Sequence, residues 1–137
     1  MIQFILNLRP KPQARHRNNG KFQYDPSSAD KKTFSILAKE YAPPKPYTHN
    51  FDLHITFCYK RPKSHFRSKN KTPILKKDVP FYKKSKPDID NLVKFYMDAM
   101  NGLFYVDDAQ VVSINAQKVY GSENYVHVKL FHNNKYC

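Results

Sequence analysis

Negative charge is what this chain has least of. Its 137 residues carry 11 Asp and Glu against 24 Lys and Arg, a formal net charge of +13. That imbalance points the surface at a polyanion, either nucleic acid or an anionic membrane. No apolar run approaches the length of a bilayer span, which leaves the membrane the weaker of the two. The first eight residues are partly apolar, but no basic segment precedes them and Arg9-Pro10 cuts them short, so no signal peptide is expected. Cysteine is nearly absent: Cys58 and Cys137 stand in no metal-ligand spacing, which fits a reducing, cytoplasmic setting. The six histidines are scattered singly, with no His-x-x-x-His and no Cys-x-x-Cys, and give a zinc site little support. There is no repeat and no sign of a second domain.

What is present is a globular composition, 40% apolar and 15% aromatic, long enough to bury one core. Ile2, Phe4, Leu6 and Leu8 alternate with Gln3 and Asn7, which predicts a strand ended by Pro10. The basic loop Arg9 to Arg17 follows. It reads either as a solvated loop or as a phosphate clamp with Arg15 and Arg17 as fork-shaped donors. Asp25-Pro26 predicts a helix N-terminus with Asp25 as N-cap. Phe34, Leu37, Ala38 and Tyr41 are its core stripe, and Pro43-Pro44 stops it. Phe51, Leu53, Ile55, Phe57 and Tyr59 alternate over a second strand, with His54 on the outer face.

Residues 60–86 hold eleven Lys or Arg and one acid, with Phe66, Phe81 and Tyr82 interleaved. No hydrophobic period survives there, so a long loop or flap is expected. Basic residues with interspersed aromatics suit a DNA backbone and an unstacked base. Asp88 then opens a helix that should run to about Asn101 and stop at Gly102. Asp90, Asn91, Lys94, Asp98 and Asn101 fall on one arc of that helix. The rest is apolar, so a nearly all-round buried helix with one polar stripe is expected, Lys94 lying one turn from Asp90. Val111 to Tyr120 reads as a strand with Val112, Ile114 and Ala116 inward. Val126, Val128 and Leu130 mark a final strand that forms a hairpin with it, and the tail from His132 to Cys137 looks frayed.

Five of the eleven acids, Asp88, Asp90, Asp98, Asp107 and Asp108, lie between 88 and 108. Asp88 could be only an N-cap, and Asp107-Asp108 only a turn before a strand. Neither reading explains why Asp-x-Asp and Asp-Asp flank the same helix. Carboxylates clustered in a cationic chain suit a divalent metal at a phosphate backbone.

The run Lys86-Pro-Asp-Ile-Asp-Asn-Leu-Val-Lys94, then Asp98-Ala-Met-Asn-Gly102, then Asp107-Asp-Ala-Gln-Val111 and Lys118, closely resembles the signature of the RusA-like endodeoxyribonucleases. These are Holliday junction resolvases of bacteria and their phages. Pro12-Gln-Ala-Arg15-His-Arg17 and Tyr24-Asp-Pro26 resemble the entry segment of phage-type members, although Ala14 departs from their usual residue. The 60–86 stretch is longer than in the compact members. The resemblance implies an α+β single domain over 1–137, a mixed and mainly antiparallel sheet packed with two principal helices, assembled as a homodimer. It implies a Mg²⁺-dependent nuclease, with Mn²⁺ substituting, that nicks four-way DNA junctions symmetrically. By position, Asp88, Asp90 and Asp108 are the implied catalytic metal ligands, with Asp107 beside them, and Lys94 the catalytic lysine. Asp98 is given a structural or partner-contact role. Arg15, Arg17, Lys83, Lys84, Lys86 and Lys118 are the expected DNA contacts. The competing readings are a related nuclease that prefers flaps or forks, and a non-catalytic nucleic-acid-binding protein with structural acids.

Overall fold

The computed structural model describes residues 1–15, 17–19 and 22–135, and side chains outside 16–23. The Arg17 side chain and Cys137 therefore lie outside the described residues. In chain order the elements are β1 (Ile2–Leu6), β2 (Arg17–Asn19), β3 (Phe22–Tyr24), α1 (Ser28–Ala38), β4 (Asn50–Lys60), β5 (Phe66–Lys69), β6 (Thr72–Leu75), α2 (Ile89–Ala99), β7 (Val111–Gly121) and β8 (Tyr125–Asn133). The main sheet has the order β1-β8-β4-β7, with β4 and β7 parallel and the other neighbours antiparallel. This is the expected α+β architecture with a mixed sheet and two principal helices.

The core follows from β4. Phe51, Leu53, Ile55, Phe57 and Tyr59 are all buried, as their period of two requires. Burying side chains of this size stabilises by about 1.5–3 kcal/mol each, so the strand that carries most of them belongs at the centre. The expected β7–β8 hairpin is accordingly not formed: β4 sits between the two strands, and Gly121–Asn124 crosses its end. Arg61 N–H donates to the Gly121 carbonyl (3.0 Å) and Lys60 N–H to the Asn124 side-chain oxygen (2.8 Å). Gly121 is needed at this crossing, because a Cβ there would meet Cys58 Sγ at 2.6 Å. The expected inward set of β7 is also revised. The register shifts by one residue where Phe51 faces Val111 and Asp52 faces Ser113, and this bulge throws Val112 outward. Ile114 and Ala116 share the face of Leu53 and Ile55, yet Ile114 stays 47% exposed because β7 is the edge strand and α2 leaves a cleft opposite it. The chain is ordered further than expected at its end. β8 runs to Asn133, whose side-chain amide donates to Asp52 Oδ1 at 2.7 Å.

The first helix begins two residues later than Asp25 predicts. Asp25 Oδ1 accepts from the Ser27 N–H (2.9 Å), making an Asx turn, and Ser27 becomes the N-cap position. Phe34 and Ala38 are buried as expected, whereas Leu37 and Tyr41 are exposed, Tyr41 stacking on Phe4 with ring centroids 5.1 Å apart. The basic stretch is not a plain loop. Its middle is the β5–β6 hairpin, and its end, 81–83, lies antiparallel along the outer edge of β7. The hairpin buries no side chain, so its pairing was invisible to a hydrophobic period.

Asp25 ties three segments together. Lys31 Nζ lies 2.6 Å from Asp25 Oδ2, and Gln13 Nε2 donates to Oδ1 at 2.8 Å. Burial pushes this carboxyl up, and the bonds from Lys31, Ser27 and Gln13 outweigh it, bringing it from 3.8 to about 2. A depressed carboxylate stabilises the fold above its unfolded pKa and loses that stabilisation as pH falls through the folded one. Asp25→Asn is therefore expected to destabilise by about 2 kcal/mol at pH 6. The gap from the parent protein should shrink to about half by pH 3, as urea denaturation at the two pH values would show.

Candidate active site

Helix α2 presents two faces. Leu92, Phe95, Tyr96, Ala99 and Met100 are buried against the sheet and α1, which is the amphipathic pattern its sequence dictates. The opposite side is not buried, contrary to the expectation of a helix covered almost all round. Ile89, Val93 and Met97 open, with Asp90, Lys94 and Asp98, onto a cleft of about 540 Å³ closed by Asp108, Ile114 and Ala116. Asp90 and Lys94 project from the exposed side of the helix and make no ion pair with one another. The turn beyond α2 is closed by Gly102 at φ +77°, the left-handed stop expected there, with its N–H donating to the Tyr105 carbonyl at 2.8 Å.

This return brings Asp108 to the cleft that Asp90 and Asp98 line, whereas Asp88 and Asp107 do not line it. Asp107 precedes a short 3-10 turn over Asp108–Gln110. Gln110 staples that turn. Its Oε1 accepts from the Val106 and Asp107 N–H groups (both 3.0 Å), and its Nε2 donates to the carbonyls of Tyr47 (2.8 Å) and His49 (2.9 Å). Tyr105, fully buried, donates its hydroxyl to the Met97 carbonyl at 2.7 Å and locks the turn to α2.

Among the expected metal-site residues, Asp90 and Asp108 share the cleft, and Asp98 joins them. Asp98, expected in a structural or partner-contact role, crowds Asp108 and reaches Lys31 Nζ at 3.4 Å. Burial raises the Asp108 carboxyl, and the carboxyls of Asp98 and Asp107 raise it further. Asp88, at the N-cap position of α2, makes no capping bond. Its Oδ2 takes the Lys86 ammonium at 2.8 Å, and that bond, more than Lys118 nearby, holds it below the usual carboxylate range. Among the described residues no three His, Cys, Asp or Glu donors already converge as a cage. The donor chemistry nonetheless fits a hard divalent cation: hard oxygen donors, mutually repelling, with Asp108 facing carboxyls.

The expected DNA contacts divide. Arg15, Lys84 and Lys86 are exposed. Lys83 is partly buried, its Nζ donating to Ser85 Oγ (2.7 Å) and lying 5.1 Å from the Tyr59 ring centre and 5.6 Å from that of Tyr120. Lys118 Nζ donates to the carbonyls of Ser85 (2.9 Å) and Pro87 (2.8 Å). The loop before Arg15 is laid along α2. Lys11 N–H donates to the Tyr96 hydroxyl and Gln13 N–H to the Asn91 carbonyl, both at 3.0 Å.

The sequence profile of the family described as Endodeoxyribonuclease RusA matches residues 7–131, nearly the whole chain. The chain belongs to the RusA endodeoxyribonuclease family. It is 33% identical over 135 residues to the uncharacterized protein YqaN of Bacillus subtilis strain 168, covering 94% of each chain. It is 32% identical over 96 residues to a protein of Lactococcus phage r1t named crossover junction endodeoxyribonuclease rusA, covering 61% of this chain and 71% of the phage protein. The cleft of this RusA-family protein thus holds the Asp-x-Asp helix and the Asp-Asp turn side by side. No described helix is long and apolar enough to cross a membrane.

Crowding at Asp108 has a thermodynamic signature. A carboxyl whose folded pKa is raised favours the fold below its unfolded pKa and loses that advantage as pH rises through the folded value. In metal-free protein, Asp108→Asn is therefore expected to raise the melting temperature at pH 7, with the gain vanishing below about pH 4, the ordinary carboxylate range. Thermal melts in EDTA at the two pH values check it, and an unchanged or lowered melting temperature at pH 7 would contradict the crowding.

Proposed function

We propose that this protein is a divalent-metal-dependent endodeoxyribonuclease that resolves four-way DNA junctions by paired nicks, acting as a homodimer in the bacterial or phage-infected cytoplasm. The observation that carries this reading is the cleft in which Asp90, Asp98 and Asp108 face Lys94 on a +13 chain of an endonuclease family. The phage relative named for crossover junctions supports the choice of substrate.

Asp88, Asp90 and Asp108, with Asp107 beside them, are the residues that would hold Mg²⁺ or Mn²⁺. When bound, such an ion polarises a phosphate and lowers the pKa of water. The chain's own residues do the rest. Lys94 places a fixed positive charge in the cleft, where it offsets the charge that develops on the phosphate oxygens without changing protonation. The apolar walls, Ile89, Val93, Met97 and Ile114, thin the water around these charges, which strengthens each of them. Arg15 and Lys84 are exposed to meet the backbone, Lys86 reaches it from its ion pair with Asp88, and Arg17 is assigned the same role by position. Such contacts set position and register and carry no sequence information. Junction preference then comes from shape and from the spacing of two active sites about a two-fold axis.

The deciding assay is cleavage of a synthetic four-way junction with Mg²⁺ and with EDTA, beside flap, fork and plain duplex. Metal-dependent symmetric nicks in the junction are expected. Preferential flap cleavage would move the reading to another branched substrate, and binding without cleavage would move it to a non-catalytic protein. Asp90→Asn sharpens the test. Asp90 is solvent-exposed on α2, so the amide should leave the fold intact. Junction affinity in EDTA should hold or rise, because one negative charge near phosphate is gone. The single-turnover rate should fall about a hundredfold or more, about 2.7 kcal/mol of lost transition-state stabilisation. Wild-type cleavage by Asp90→Asn at limiting Mg²⁺ would remove Asp90 from the mechanism.

Paired nicks need two sites at once. Sedimentation at micromolar concentration is expected to give twice the chain mass of 16.2 kDa. A monomer that still makes paired nicks would contradict the two-site geometry.

A further inference from the structure

We propose that Lys118 is a positioning residue for Asp88: its ammonium latches the strap that carries this carboxylate, and does not bind a DNA phosphate. The inference rests on the reading of Asp88 as part of the cleavage site.

The strap is the segment that enters α2. It lacks an apolar anchor, since Phe81 and Tyr82 are each 60% exposed. Its hold on the fold is the edge of β7. Tyr120 N–H donates to the Phe81 carbonyl (2.9 Å), Tyr82 forms an antiparallel bridge with Val119, and Lys83 N–H donates to the Lys118 carbonyl (3.0 Å). Backbone pairing with β7 ends at Lys83. Lys84 to Asp88 must still be directed toward the cleft.

Lys118 supplies that direction. Its backbone pairs with Phe57 in β4, so its side chain leaves the sheet on the face that α2 covers. Nζ reaches the carbonyls of Ser85 (2.9 Å) and Pro87 (2.8 Å), two residues apart on the strap. An ammonium has three donors, and two of them are committed here. Pro87 brings no N–H of its own to the strap. Directly after it, Asp88 has extended backbone and offers its carbonyl to the Leu92 N–H at 3.2 Å, the first bond of α2. The latch therefore sits one peptide away from the group it orients. The environment agrees: Lys118 is half-buried, and burial followed by the Lys83 charge pulls its ammonium below the usual lysine range. A lysine displayed for phosphate gains from the opposite setting, open to solvent, as Lys84 is.

The test compares Lys118→Met, which keeps the stem and removes the donors, with Lys118→Arg, which restores charge and a pair of donors. Hydrogen exchange is measured on metal-free, DNA-free protein. In Lys118→Met, amides from Ser85 to Leu92 should exchange about tenfold faster while β4 and β8 hold, and Lys118→Arg should restore most of the protection. Single-turnover junction cleavage by Lys118→Met should fall about thirtyfold, with half-saturation shifted to higher Mg²⁺. Junction affinity in EDTA should stay within about twofold of wild type, with an unchanged salt slope. Weaker binding in EDTA, a salt slope smaller by about one, and unaltered exchange would overturn the latch and make Lys118 a phosphate contact. Should Lys118→Met not fold, Lys118→Gln is read in the same way, with faster exchange at 85–92 supporting the latch and unaltered exchange overturning it. A wild-type protein that fails to cut junctions would overturn the proposed function, whereas the exchange comparison decides the latch on its own.

Discussion

The parallel pairing of β7 with β4 is the contact on which the candidate site depends. β4 carries five large buried side chains and takes the centre of the sheet, with β8 on one side and β7 on the other. A parallel neighbour cannot follow by a tight turn, so the chain between the two strands must be long. Here it includes the β5–β6 hairpin, the strap and α2. The strap and α2 lie against β7. Ile114 and Ala116 form one wall of the cleft, and Lys118 to Tyr120 hold the strap that leads into the opposite wall. A β7–β8 hairpin at the edge of the sheet would not place the Asp-x-Asp helix and the Asp-Asp turn across one cleft.

Charge separates the carboxylates around that cleft. Lys86 sits on Asp88 and Lys31 on Asp98, so these two carboxylates have counter-ions. Among the described residues Asp90 has no ion-pair partner, and Asp108 faces carboxyls. A protein with 24 basic residues has cations to spare for both. Crowding at Asp108 costs stability, which is the exchange expected where a fold keeps charge available for chemistry. The same logic separates the lysines. Lys84 is exposed, whereas Lys83 and Lys118 donate to groups of the protein.

Much of this was legible in the sequence. The β4 alternation, both helices, the Gly102 stop and the acidic motif are local signals, and the resemblance carried by residues 86–118 named the family. What escaped were facts that depend on a neighbour. Whether β7 pairs with β4 or β8 does not show in the period of either strand. Ile114 lost its cover because its strand is an edge, and Val112 because of a bulge. Asp25 looked like an N-cap because Pro26 follows it, yet Lys31, Gln13 and the Ser27 N–H compete for its carboxylate two residues before the helix begins. Asp98 was placed outside the site by its position near a helix C-terminus, where the dipole disfavours an acid. The Lys31 contact offsets that cost, and no pattern within α2 reveals it.

Gln110 and Lys118 show what such patterns leave out. Both stand in the motif-bearing region, and both have the chemistry of surface contacts. Their donors instead go to main-chain carbonyls: Tyr47 and His49 for Gln110, Ser85 and Pro87 for Lys118. The strap that leads into the first acidic motif and the 3-10 turn that carries the second are chain without a regular ladder. Backbone polar groups there need partners that secondary structure does not provide. A long side chain from a strand end or a turn is a compact way to provide them, because one terminal group bridges two peptides and fixes their separation. The peptides bridged by Lys118 lead directly into Asp88, and those stapled by Gln110 include the Asp107 N–H. The accuracy of the carboxylates in the proposed chemistry is then set by groups that touch neither metal nor DNA. In this fold, polar residues near a site are best sorted by where their donors go before they are assigned to substrate.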